Sequence, residues 1–137
     1  MNAPLLLDTC ACLWIIANEL PEVATDALSD AYDNGIPVYV SPITAWEVGQ
    51  LARKGRFRSH LTPPRWFERL ISAPGTLLAA MPPELLMESA LLPEYPNGDP
   101  ADRIMAATAR EYGYTLMTRD AALLDYGRQG YLSILEC

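Results

Sequence analysis

Short apolar runs alternate with longer helical segments along the whole 137-residue chain, and that alternation is what most limits its possible folds. "APLLLD" reads as a buried strand ending at Asp8, because Leu5 to Leu7 form a continuous apolar run too short for helical periodicity. "PVYV" (37–40), "TLLAA" (76–80), "YTLMT" (114–118) and "YLSIL" (131–135) read as further strands. Helices are predicted over 9–19 and 21–34, the second closed by Asn34-Gly35, and over "SPITAWEVGQLARKG", where Ser41 fits the cap and Pro42 the first helical position. "TPPRWFERLI" and "PPELLMESALL" add two more, "PEYPNG" is a loop, and the last helices run from Asp99 to about Tyr112 and from Asp120 to Tyr126. Strands separated by helices pair in parallel, so the expectation is an α/β fold whose central parallel sheet is covered on both faces, formed by a single domain over 1–137. In such a sheet functional residues gather beyond the carboxyl ends of the strands, where strand order reverses.

Composition narrows the chemistry. Half the residues are hydrophobic, enough for a sizeable core, and no apolar run approaches the ~18 residues of a membrane span, which together with the lack of a leader pattern points to the cytoplasm. Cys10, Cys12 and Cys137 show no C-x-x-C spacing and read as reduced core thiols. The one histidine, His60, excludes histidine clusters and leaves a Ser-His-Asp hydrolase dependent on a residue in a polar, basic stretch. A net charge of −7 argues against coating nucleic acid with the whole surface. The charge is uneven, however: Arg53, Lys54, Arg56, Arg58, Arg65 and Arg69 put six of the ten basic residues into seventeen positions, opposed only by Glu68. Such a strip invites a localised anionic partner.

Four acids fall at strand ends or helix starts: Asp8 closes the first strand, Asp120 follows the strand ending at Thr118, and Asp99 and Asp102 open the helix "DPADRIMAATA". Two readings of that helix start stand side by side, a cap built from Asp99, Pro100 and Asp102, and half of a metal site. Glu47 lies four residues from both Ile43 and Leu51, in an apolar stripe where a solvated glutamate is out of place. Carboxylates ~4 Å apart repel by about 4 kcal/mol per pair at an effective dielectric near 20, so a fold that collects them needs a compensating cation. Oxygen ligands without clustered His or Cys select Mg²⁺ or Mn²⁺ over zinc. No Walker loop, dinucleotide fingerprint or G-x-S-x-G elbow is present, and a carboxylate-held Mg²⁺ without a nucleotide cradle points to phosphodiester hydrolysis. An aspartyl phosphatase is the competing enzyme reading, although Cys10 stands where its second acid is expected.

The segments "LLLDTCACLW", "SPITAWEVGQLARKGRF", "GDPADRIMAATAREYGYTLMTRD" and "LLDYG", in this order and spacing, resemble the PIN domain of VapC-like toxin ribonucleases over essentially the full length. The resemblance implies a three-layer α/β/α fold, Mg²⁺-dependent endonuclease action on transfer or ribosomal RNA with Mn²⁺ as a substitute, homodimerisation, and inhibition by a VapB-like antitoxin. It carries the family's acidic positions onto Asp8, Glu47, Asp102 and Asp120, with Asp99 as a nearby fifth acid and helix cap. Asp8 and Asp102 are then metal ligands, Asp120 completes the shell directly or through water, and Glu47 positions the attacking water or a second ion. Thr9 and Thr118 are candidates to orient a carboxylate or water, with satisfied hydroxyls near strand ends as the alternative. Arg53, Lys54, Arg56 and Arg58 are expected to contact RNA or antitoxin. Arg103 and Arg119 are expected in surface ion pairs, with phosphate contact as the alternative, and Trp14, Trp46 and Trp66 in the core or a dimer interface. A fold relative that binds nucleic acid or protein without cutting is the non-enzymatic alternative.

Overall fold

The structure is a computed structural model that describes residues 3–137. In chain order the elements are β1 (Leu5–Leu7), α1 (Thr9–Ala17), α2 (Glu22–Asp33), β2 (Val38–Val40), α3 (Pro42–Arg53), α4 (Pro63–Ile71), β3 (Thr76–Leu78), α5 (Pro83–Ala90), α6 (Pro100–Tyr112), β4 (Thr115–Thr118), α7 (Ala121–Arg128) and β5 (Ser133–Glu136). All strands are parallel, in the order β3-β2-β1-β4-β5. The chain therefore builds outward from β1 on one side, then crosses to the other side for β4 and β5. The reversal lies between β1 and β4, where Leu7 pairs with Met117 and the Asp8 N–H donates to the Met117 carbonyl at 3.0 Å.

The two-residue period of β1 decides the layers. Leu5 and Leu7 join Val38, Val40 and Met117 under Ala11 and Cys12 of α1, Ala24 and Ala31 of α2, and Trp66 and Leu70 of α4. Leu6 and Leu116 face the other way, against Met105, Ala106 and Ala109 of α6 and Leu123 and Tyr126 of α7. This is the expected α/β/α sandwich, and the three cysteines are free thiols. Several boundaries differ from expectation, and at two of them the backbone hydrogen bonds give the reason. Helix α1 stops at Ala17 because Asn18 adopts a left-handed conformation (φ 58°) and its N–H bonds back to Ile15 and Trp14 carbonyls. The last strand starts at Ser133 rather than Tyr131, whose N–H is taken by the Tyr126 carbonyl as the chain leaves α7.

Helix α7 lies directly on β5 at Gly127, where a Cβ would stand 2.6 Å from Ile134 Cγ2 and 2.7 Å from its Cγ1. Both atoms are fixed to a β-branched carbon and have little freedom to swing aside. Gly127→Ala is expected to cost about 1–3 kcal/mol by overpacking, read as a lowered denaturation midpoint. An unchanged midpoint would mean that α7 slides freely over β5.

Candidate active site

Three of the acids share one local role. Asp8 caps α1, its Oδ1 accepting the Thr9 N–H at 2.8 Å. Asp99 caps α6 by accepting the Ala101 and Asp102 N–H groups at 2.9 and 3.4 Å, and Asp120 caps α7 by accepting the Leu123 N–H at 3.0 Å. Asp102 lies in the first turn of α6. Carboxylates are favoured at helix N-termini because the orphan N–H groups and the helix dipole are positive there. Helices α1 and α7 begin where β1 and β4 end, so the caps fall at the carboxyl edge of the sheet. The cap and site readings of "DPADRIMAATA" are thus compatible.

Asp8, Glu47, Asp99, Asp102 and Asp120 all line one cleft of about 600 Å³ at the reversal in strand order. The buried Thr118 hydroxyl donates to Asp8 Oδ2 at 2.6 Å and accepts the Asp120 N–H at 3.0 Å, tying the ends of β1 and β4 together. Thr9 donates to Glu47 Oε1, and its hydroxyl lies 3.0 Å from that of Thr44. The Asn97 amide donates to Asp102 Oδ2 at 3.3 Å, while its carbonyl oxygen accepts the Asp99 N–H at 3.0 Å. Each carboxylate is held by neutral donors that leave further lone pairs available.

The charges are crowded. Burial, followed by the neighbouring Asp120, Asp99, Asp8 and Glu47, pushes the Asp102 carboxyl up to about 7. Burial also raises Asp8, against the lowering effect of its Thr118 and Thr9 hydrogen bonds. Glu47 is raised by burial, partly relieved by Thr9, with Asp8 and Asp99 adding to the rise. Among the described residues the one side-chain ion pair is Arg128–Glu136, so no acid of the cleft is paired with a side chain there. Among the described residues, no three His, Cys, Asp or Glu side chains converge into a ready-made protein cage for a metal. Oxygen donors spread around a wet cleft suit a hard divalent cation that keeps several waters, and do not suit a closed nitrogen and sulfur site.

Of the basic strip, Lys54 and Arg56 reach the cleft, whereas Arg53 and Arg58 do not line it, and Arg53 donates to Gln50 at 2.9 Å. The arginines beside site acids correct the expectation of surface ion pairs. Arg103 donates to the carbonyls of Ser89, Tyr95, Asn97 and Ala90 and braces the loop before α6. Arg119 lies over the Trp14 ring. Trp66 is core, but Trp46, 51 % exposed, stands on the cleft wall rather than inside the fold. Thr44 and Asn97 were missed by sequence reasoning. Thr44 carried a signal, three residues before Glu47 on one helix face, and Asn97 carried another, an Asx turn two residues before Asp99.

A family model for the PIN domain matches residues 5–129, from the start of β1 to the residue that follows α7. The chain belongs to the PIN domain family. This PIN domain is 30 % identical over 118 residues to Ribonuclease VapC22 of Mycobacterium tuberculosis, covering 86 % of the chain and 88 % of the relative. Among solved structures it resembles VapBC2 from Rickettsia felis bound to a fragment of its promoter DNA, with a TM-score of 0.67 and 15 % identity over 97 % of this chain and 98 % of that one. It also resembles DNA-bound VapBC from Salmonella typhimurium, with a TM-score of 0.60 and 24 % identity over 99 % and 98 % of the two chains. These last two are likenesses of fold.

Proposed function

We propose that this PIN domain is a Mg²⁺-dependent endoribonuclease, the toxin of a toxin–antitoxin pair, which cleaves transfer or ribosomal RNA in the cytoplasm. The observation that carries the reading is one cleft lined by five carboxylates, none held in a side-chain ion pair among the described residues, with Lys54, Arg56 and Arg119 on its walls. The ribonuclease relative and the VapBC names of the fold neighbours support the activity and a VapB-like antitoxin partner. Self-association as a homodimer is supported by the apolar exposure of Met87 (61 %) and Leu91 (81 %) around the end of α5. Among the described residues no helix is long and apolar enough to cross a membrane.

Asp8 and Asp102 would hold the cation in this reading, with Asp120 completing its shell directly or through water. When bound, the cation would offset charge on the phosphate oxygens and favour ionisation of the attacking water. Thr118 fixes the rotamer of Asp8, and Thr9 fixes that of Glu47, which positions the attacking water. Lys54 and Arg56 hold phosphates of the strand as it enters.

The test is cleavage of RNA by the purified protein in Mg²⁺ and in chelator. Metal-dependent internal cuts are expected, together with growth arrest on expression that a co-expressed antitoxin relieves. RNA binding without cuts would favour a non-cleaving domain, and hydrolysis of an aryl phosphate without RNA cleavage would favour a phosphatase. A second measurement addresses the walls of the cleft. Replacing Lys54 and Arg56 together with Gln, in an Asp8→Asn background, is expected to reduce the slope of log affinity for single-stranded RNA against log salt by about 1.4, two phosphate contacts' worth. An unchanged slope would remove both residues from the substrate path.

A further inference from the structure

Two arginines stand beside site acids in the sequence, and the fold treats them in opposite ways. Arg103 spends its guanidinium nitrogens on four backbone carbonyls. Arg119 is an exposed residue on the cleft wall whose guanidinium carbon lies 3.9 Å from the centroid of the Trp14 ring. Its Nε makes one long contact, 3.5 Å, to the Cys137 carbonyl. Its two terminal nitrogens make no hydrogen bond or ion pair among the described residues, although five carboxylates line the same cleft.

An arginine side chain has about 2 kcal/mol of rotamer freedom, and one so close to acids should either pair with them or point into solvent. Stacking on an indole does neither: it holds the guanidinium plane by cation–π attraction and leaves the outer edge of the fork uncommitted. Trp14 is half-buried on α1, the helix that Asp8 caps, so the stack locates Arg119 relative to the strand end that carries the acids. We propose that Arg119, ordered by Trp14, is a substrate-binding residue that presents its two terminal nitrogens as a bidentate clamp on an RNA phosphate. The proposal rests on the ribonuclease reading of the cleft. A phosphodiester fits better than an acidic peptide, because its two non-bridging oxygens match the fork and its repeat along the strand engages Lys54, Arg56 and Arg119 together.

The experiment measures binding of a mixed-sequence single-stranded RNA across salt in the full chain carrying Asp8→Asn, alone and combined with Arg119→Gln, Arg119→Lys or Arg128→Gln. Circular dichroism and thermal unfolding check that each variant is folded. Arg119→Gln is expected to weaken binding about tenfold, the scale of one hydrogen-bonded charge, and to lower the salt slope by about 0.7. Arg119→Lys is expected to keep the slope yet still lose affinity several-fold, since an ammonium keeps the charge but cannot fork. Arg128→Gln, which alters an exposed ion pair outside the cleft, is expected to change neither quantity. In the cleaving parent, Arg119→Lys is expected to raise KM more than it lowers kcat. RNA binding that is equal in all Arg119 variants overturns the clamp while leaving the ribonuclease reading intact. Loss of antitoxin binding with RNA binding unchanged also overturns it, assigning the residue to the inhibitor. A parent that neither binds nor cuts RNA overturns the ribonuclease reading itself.

Discussion

Asp8→Asn and Asp102→Asn are each expected to abolish Mg²⁺-dependent RNA cleavage, and the metal-free Asp102→Asn protein is expected to unfold at a higher temperature than the parent. The loss of activity should exceed ~100-fold, because removing groups that merely support a ligand already costs 10–100-fold in many metal sites, and these two are proposed as the ligands themselves. The stability gain has a separate cause. Asp102 is half-buried among Asp120, Asp99, Asp8 and Glu47, and each carboxylate within ~4 Å would add repulsion of up to about 4 kcal/mol at an effective dielectric near 20. An amide keeps the shape and can still accept from Asn97, but carries no charge. For Asp8 the gain is smaller, since an amide nitrogen facing Thr118 forces that hydroxyl to give up its donated bond. Single-turnover cleavage and thermal unfolding in chelator separate the two effects. Cleavage at the parental rate in either variant would remove that residue from the metal site, and an inactive protein that has unfolded would leave charge crowding without a role.

The acids were legible because one local rule puts them where chemistry can use them. In a parallel sheet the chain leaves each strand at its carboxyl edge and often enters a helix at once, so a capping Asp at that junction stands at the edge where ligands bind. Asp8 and Asp120 follow that rule directly, and an apolar run with an acid behind it is enough to find them. Glu47 was legible for a different reason, a charge inside an apolar helical stripe, and the structure supplies the cause in the Thr9 hydroxyl that donates to it and itself lies 3.0 Å from that of Thr44. Parallel pairing was implied by the alternation of elements, but the order of the strands was not, because crossing to the far side of β1 after β3 depends on packing of helices distant in sequence. The arginines were misread for the same reason. Arg103 answers to carbonyls freed by an irregular loop, and Arg119 to an indole on another helix, neither of which a residue's sequence neighbours disclose. Thr118 and Asp8 lie 110 positions apart, yet the pairing of β4 with β1 places them in contact.

In the absence of divalent metal, the protein is expected to lose stability as the pH rises from about 4 to about 7, the reverse of the usual acid denaturation, and added Mg²⁺ or Mn²⁺ should cancel the loss. The folded chain holds the Asp102 proton up to about 7, whereas the unfolded chain releases it near the ordinary value of 3.8. Between those values the folded state binds more protons, so stability falls with rising pH and levels off above the folded pKa. The raised carboxyls of Asp8 and Glu47 act in the same direction. For Asp102 alone the full shift would correspond to about 4 kcal/mol, which water at a half-exposed carboxylate reduces to roughly 1–2 kcal/mol. That is a fall of about 3–8 °C in the thermal midpoint for a chain of this size. A cation that binds the deprotonated site at a hundred times its Kd returns about 2.7 kcal/mol, so the profile in metal should be flat or rising where the profile in chelator falls. Metal affinity itself should strengthen over the same interval, because the cation competes with the proton on Asp102. Thermal unfolding in chelator and in Mg²⁺ across this range, on the parent and on Asp102→Asn, reads all of this together. The variant should lose most of the slope and most of the metal response. A parental profile that rises towards neutral pH in chelator would place the crowding, and with it the cation, somewhere other than this cleft.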